Sequence, residues 1–134
     1  MAKLLDIEGI GPVYSEKLKN AGVKSVESLL KLGATPAGRE NIAEKAGIDK
    51  RLILEWVNRA DLFRIKGVAE EYSDLLEASG VDTVVELAQR NPENLLAKIL
   101  EVNAEKKLVR RVPTLNAIKD WIEQAKDLPR AIHY

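Results

Sequence analysis

The sequence predicts an all-α fold made of two tandem copies of one small helical unit. Residues 7–30 (IEGIGPVYSEKLKNAGVKSVESLL) and 65–88 (IKGVAEEYSDLLEASGVDTVVELA) match in register. Gly9 meets Gly67, Tyr14 meets Tyr72, Ser15 meets Ser73 and Leu18 meets Leu76. Gly22, Val23, Val26 and Leu29 likewise meet Gly80, Val81, Val84 and Leu87. A fixed offset of this kind marks a duplicated supersecondary unit. Apolar residues recur at helical spacing through the chain, and no strand-like alternation of useful length interrupts them. Caps and breakers recur at the pace of short helices.

The elements follow in order. Gly9 and Gly11 form a glycine hairpin, and Pro12 suits the first position of the helix behind it, where a missing N–H costs nothing. That helix keeps Tyr14, Leu18 and Ala21 on one face and stops at Gly22, a residue suited to the left-handed cap. Ser25 caps a short helix carrying Val26, Leu29 and Leu30. Thr35–Pro36 opens a third helix that runs to Gly47. Asp49 starts a fourth, with Leu52, Ile53, Trp56, Val57 and Ala60 at helical spacing.

The second copy repeats the plan with a helix from about Ala69 to Ser79, a Thr83 cap, an Asn91–Pro92 opening and a Thr114 cap. Trp56-Val57 corresponds to Trp121-Ile122. The offset slips where ENIAEK (40–45) meets ENLLAK (93–98), and the extra residues of the second copy fall in NAEKKLVRRVP (103–113). The expected architecture is two units, 1–62 and 63–134, related by a pseudo-two-fold about one shared core. Tyr14, Leu18, Leu29, Trp56 and their partners Tyr72, Leu76, Leu87 and Trp121 should be largely buried.

Composition narrows the function classes. With 134 residues and no cysteine, neither disulfides nor thiolate metal sites can brace the chain, and no cofactor is expected. No apolar run approaches a membrane span and no leader-like stretch opens the sequence, so a cytoplasmic protein is expected. Lysine and arginine balance aspartate and glutamate at 21 each, but unevenly. Residues 1–60 carry ten cations against eight anions, 61–94 three against eight, and 95–134 eight against five. A dedicated nucleic-acid binder usually carries a basic domain, and this chain does not.

The stretch Ile7-Glu8-Gly9-Ile10-Gly11-Pro12, followed by Ser15, Leu18 and Gly22, resembles the helix-hairpin-helix motif. In that family two helices flank a glycine turn whose backbone amides contact nucleic-acid phosphates without reading sequence. The run A-G-V-x-S-V-x-x-L at 21–29 also resembles the C-terminal domain of the RNA polymerase α subunit, built on related hairpins. Over nearly its whole length the chain is similar to an uncharacterised bacterial family of tandem helix-hairpin-helix proteins. That resemblance implies a fold; activity has to be argued from the site.

The residues themselves point to a phosphate site at Gly9, Ile10 and Gly11, with Lys17 as the nearest aid. Small glycines let amides approach an anion, and the following helix start adds free N–H groups and a positive dipole end. The same features are also what a purely structural turn requires. Val13 stands where binding members of the family carry a cation, and Glu8 and Glu16 oppose Lys17 and Lys19. The second hairpin has Ala69 for the second glycine and Glu70-Glu71 beside it, which repel an anion. Lys106, Lys107, Arg110 and Arg111 would form one basic stripe on a helix, serving either phosphate contacts or a solvated helix end.

Enzyme chemistry is not expected. The single histidine, His133, has no obvious partner, and a lysine-dependent lyase of the glycosylase kind would need a lysine where Val13 stands. Two classes remain open. One is a weak, sequence-independent binder of DNA or RNA backbone through the first hairpin. The other is a protein-interaction or scaffold module in which both hairpins are structural.

Overall fold

A computed structural model describes residues 3–134, except for the side chains of Ala69 and Glu70. After a 3-10 turn at Leu4–Asp6 come α1 (Pro12–Asn20), α2 (Val26–Leu32), α3 (Pro36–Ala46) and α4 (Lys50–Leu62). Then follow α5 (Ala69–Ala78), α6 (Val84–Ala88), α7 (Pro92–Lys106) and α8 (Leu115–Asp127). No strand occurs among the described residues.

The local chemistry accounts for these boundaries. Ser25, Thr35, Asn91 and Thr114 each accept an N–H from three residues on, at 2.9–3.1 Å, which satisfies a donor the helix itself leaves open. Pro12, Pro36 and Pro92 occupy first-turn positions. At the head of α4 the Asp49 carboxylate accepts from the Arg51 amide at 2.9 Å and from its guanidinium at 3.0 Å. The side-chain bond to Arg51 is the main reason Asp49 titrates below the ordinary carboxylate range.

Helices α1 and α5 end alike. Gly22 and Gly80 have φ of +92° and +91°, and the amides of Val23 and Val81 return to Leu18 and Leu76 at 2.8 and 2.9 Å. With Gly22 and Gly80 also bonded to Lys19 and Glu77, both are Schellman endings.

The chain divides into two compact units, one holding the residues up to 61 together with 131–134, the other residues 62–130. The sequence reading assigned 131–134 to the second unit; the structure places them with the first. Inside the first unit α1 packs on α3 and on the 3-10 turn, and α2 packs on α3. Its buried set includes Leu4, Ile7, Ile10, Leu18, Leu29, Ile53 and Trp56. Inside the second, α6 and α7 pack on α8 and α5 packs on α7. Their apolar faces enclose Leu62, Ile65, Val68, Leu76, Leu87, Leu95, Ile99 and Trp121.

Each unit sets a tyrosine against its tryptophan. The Tyr14 and Trp56 rings lie 5.1 Å apart at 59°, and those of Tyr72 and Trp121 lie 5.3 Å apart at 50°. Trp56 and Trp121 are 1% and 3% exposed, and both tyrosines are half-buried, somewhat less than the expected large burial. The phenol explains this: its ring packs inward while the polar end stays at the rim, where Tyr72 donates to the Arg111 carbonyl at 2.9 Å.

The C-terminal residues are clasped onto the first unit. Ile132 is buried, and the His133 amide donates to Ala34 O at 2.7 Å. The Arg39 guanidinium bridges the carbonyls of Gly33 and His133, each at 2.9 Å, and lies 5.8 Å from the Tyr134 ring centre. Burial lowers the Arg39 pKa, and Tyr134 opposes that shift. Tyr134 also donates to Asn58 Oδ1 at 3.1 Å.

Two stability measurements test this packing. Trp56→Ala should cost about 3–5 kcal/mol in denaturant melts, whereas Lys106→Ala should stay within roughly 0.5 kcal/mol. Arg39→Ala strands two carbonyls and should cost about 2–4 kcal/mol. Arg39→Lys should recover only part of that, because an ammonium lacks the planar fork that reaches both acceptors.

Candidate nucleic-acid interface

The first hairpin is a tight turn. Ile10 N–H donates to Ile7 O at 3.1 Å, and Gly9, at φ +94°, takes the one position that a side chain would strain. A Cβ on Gly9 would also sit 3.1 Å from Trp56 Nε1. The hairpin is thus seated on the indole, with Ile7 and Ile10 buried on either side. Ile10 therefore offers only its backbone at this turn, because its side chain is a core anchor.

Gly11 differs from Gly9 in kind. It caps α1 with extended backbone, φ −91° and ψ −174°, and a Cβ there would meet no atom within 4 Å. No side chain caps α1, so the leading amides of this nine-residue helix have no side-chain acceptor at the positive end of its dipole.

The second hairpin has the same seat but a different finish. Gly67 has φ +95°, and a Cβ there would lie 3.1 Å from Trp121 Nε1. The Gln124 side chain of α8 then closes the turn from outside: its Oε1 accepts from Lys66 N–H at 2.8 Å and its Nε2 donates to Lys66 O at 3.1 Å. In the Trp56/Trp121 register the first unit has Arg59 in place of Gln124. A guanidinium accepts no hydrogen bond. Among the described residues no side chain takes the Glu8 amide, the counterpart of Lys66. Val68 is helical at φ −82°, ψ −56°, so α5 starts one residue earlier in the repeat than α1. The expected contrast at Ala69 and Glu70 concerns side chains outside those described; Glu71 is exposed in the first turn of α5.

The remaining candidate cations are scattered. Lys17 is exposed in the last turn of α1, six residues past Gly11 and so about 9 Å along the helix. Lys106, Lys107, Arg110 and Arg111 do not form a helical stripe. α7 ends at Lys106, Lys107 is left-handed at φ +52°, and the following loop buries Val109 and Pro113. Asn103 enforces this turn, accepting from Val109 N–H at 3.0 Å and donating to Val109 O at 3.1 Å. The side chain that redirects the chain is an asparagine in the last turn of α7, a weak signal in the sequence. Gln124 leaves no local signal either, since it matters only through Lys66, far away in sequence.

No helix among the described residues is long and apolar enough to cross a membrane. The family described as Domain of unknown function (DUF4332) matches residues 8–128, and the chain belongs to that family. No solved structure matches it.

The two glycines should separate in mutagenesis. Gly9→Ala forces a side chain into positive φ against the indole and should cost about 1–3 kcal/mol. Gly11→Ala, in open space and extended backbone, should change stability by less than about 0.5 kcal/mol. Thermal melts of the two variants check this.

Proposed function

We propose that this member of the family is a non-enzymatic module whose first hairpin, of helix-hairpin-helix type, holds nucleic-acid backbone phosphates without reading sequence. The observation that carries this reading is the open finish of that hairpin. Its Glu8 and Gly11 edge lacks the side-chain closure that Gln124 gives the second one. Backbone N–H groups at a helix start suit a phosphate oxygen and carry no base information. The matched turns, Schellman endings and tyrosine–tryptophan pairs support descent from one duplicated unit, with the second copy turned to a structural role.

Val13 favours a second reading. It is 68% exposed beside the hairpin, where a cation would reach a phosphate. A protein partner would bury that side chain, and both hairpins would then be structural elements of a scaffold module.

Fluorescence anisotropy with labelled single- and double-stranded oligonucleotides separates the two. Binding should weaken with salt along a log–log slope of about two to four, reflecting few neutralised phosphates. Gly11→Glu should abolish it without unfolding the protein, while Ala69→Glu should barely alter affinity. Absence of binding at low salt with tens of micromolar protein would sink the nucleic-acid reading in favour of the scaffold. A Val13→Asp pull-down comparison would then follow.

A further inference from the structure

A cavity of about 300 Å³ opens in the first unit between the 3-10 turn, α1 and the start of α2. Leu4 and Leu5 line it, with Ser15 and Glu27, and three lysines, Lys3, Lys19 and Lys24, share its wall. All three lysines are exposed, and Glu27 is the one carboxylate among these lining residues, so the wall carries a positive excess. Ser15 is only 4% exposed and lines this cavity.

The repeat register sharpens the contrast. The offset that pairs Ser15 with Ser73 also pairs Lys3 with Asp61, Lys19 with Glu77 and Lys24 with Asp82. At that offset each lysine of the cavity wall meets a carboxylate. Asp61 is 2% exposed, and both it and Ser73 are held by neighbouring groups.

We propose that this cavity binds a small amphiphilic anion, a carboxylate or phosphate head on a short apolar body. The head would be met by Lys19, Lys24 and the Ser15 hydroxyl, with the body lying on Leu4 and Leu5. An ammonium cluster without an apolar floor would take any inorganic anion; the leucines select for a body behind the charge. Cations at the mouth of a partly enclosed apolar cleft hold an anion better than the same charges on an open surface, because solvent screens them less.

Amide NMR titrations of the full chain with octanoate, octyl phosphate and inorganic phosphate test this. At least one amphiphile should produce saturable shifts at Leu5, Ser15 and Lys24, and inorganic phosphate should bind about tenfold more weakly or worse. Which amphiphile binds more tightly tells a carboxylate head from a phosphate head. The double variant Lys19→Glu, Lys24→Asp, which writes the residues found at 77 and 82 into the first unit, should lose about tenfold or more of that affinity while keeping the wild-type spectrum elsewhere. Gly11→Glu should bind the amphiphile as the wild type does, which keeps this site distinct from the hairpin. The proposal is overturned if neither amphiphile shifts these residues. It is equally overturned if inorganic phosphate binds as well as they do, or if the charge-reversed variant binds unchanged.

Discussion

The seat of a glycine turn on the edge of a tryptophan is the constraint from which the rest of each unit follows. In both units a glycine near φ +95° presses its bare Cα to within a Cβ's contact distance of an indole Nε1. Only glycine combines that dihedral with that closeness. The turn in turn fixes where the next helix begins, and that helix carries the tyrosine that packs on the same indole. One large ring thereby gathers a turn and a helix into a single packed cluster, which is how a unit of some sixty residues builds a core with few aromatics.

Once seated, the two hairpins differ by what stands over them. Gln124 supplies both an acceptor and a donor, so it satisfies the exposed Lys66 backbone and finishes the turn as structure. In the tryptophan register Arg59 takes the place of Gln124, and a guanidinium cannot supply that acceptor. At the offset that pairs Ser15 with Ser73, Lys3, Lys19 and Lys24 meet Asp61, Glu77 and Asp82.

The C-terminal clasp shows the same economy of polar groups. Arg39 is a buried cation, and such a group is tolerated only with good partners. It finds them in two carbonyls that would otherwise lack donors, one at the end of α2 and one in the tail. The tail gains order from a backbone hydrogen bond, a buried isoleucine and a tyrosine facing the guanidinium.

Periodicity and punctuation are local properties, and the sequence carried them openly. The all-helical class, the capping residues, the positive-φ glycines and the buried tryptophans were legible because each follows from a residue's own chemistry and its neighbours three or four positions away. The half-burial of Tyr14 and Tyr72 was partly legible, since a phenol's polar end seeks the rim. The fate of Lys106 to Arg111 was not. A helix of the right length fits those residues, and only the Asn103 side chain folding back on Val109 ends it. The place of residues 131–134 was equally hidden, because Arg39, Ala34 and Asn58 meet them across most of the chain. Tertiary structure alone decided these matters, as it decided the closure of one hairpin and not the other. Hydrogen-bond complementarity between distant residues leaves no period in the sequence for a local reading to find.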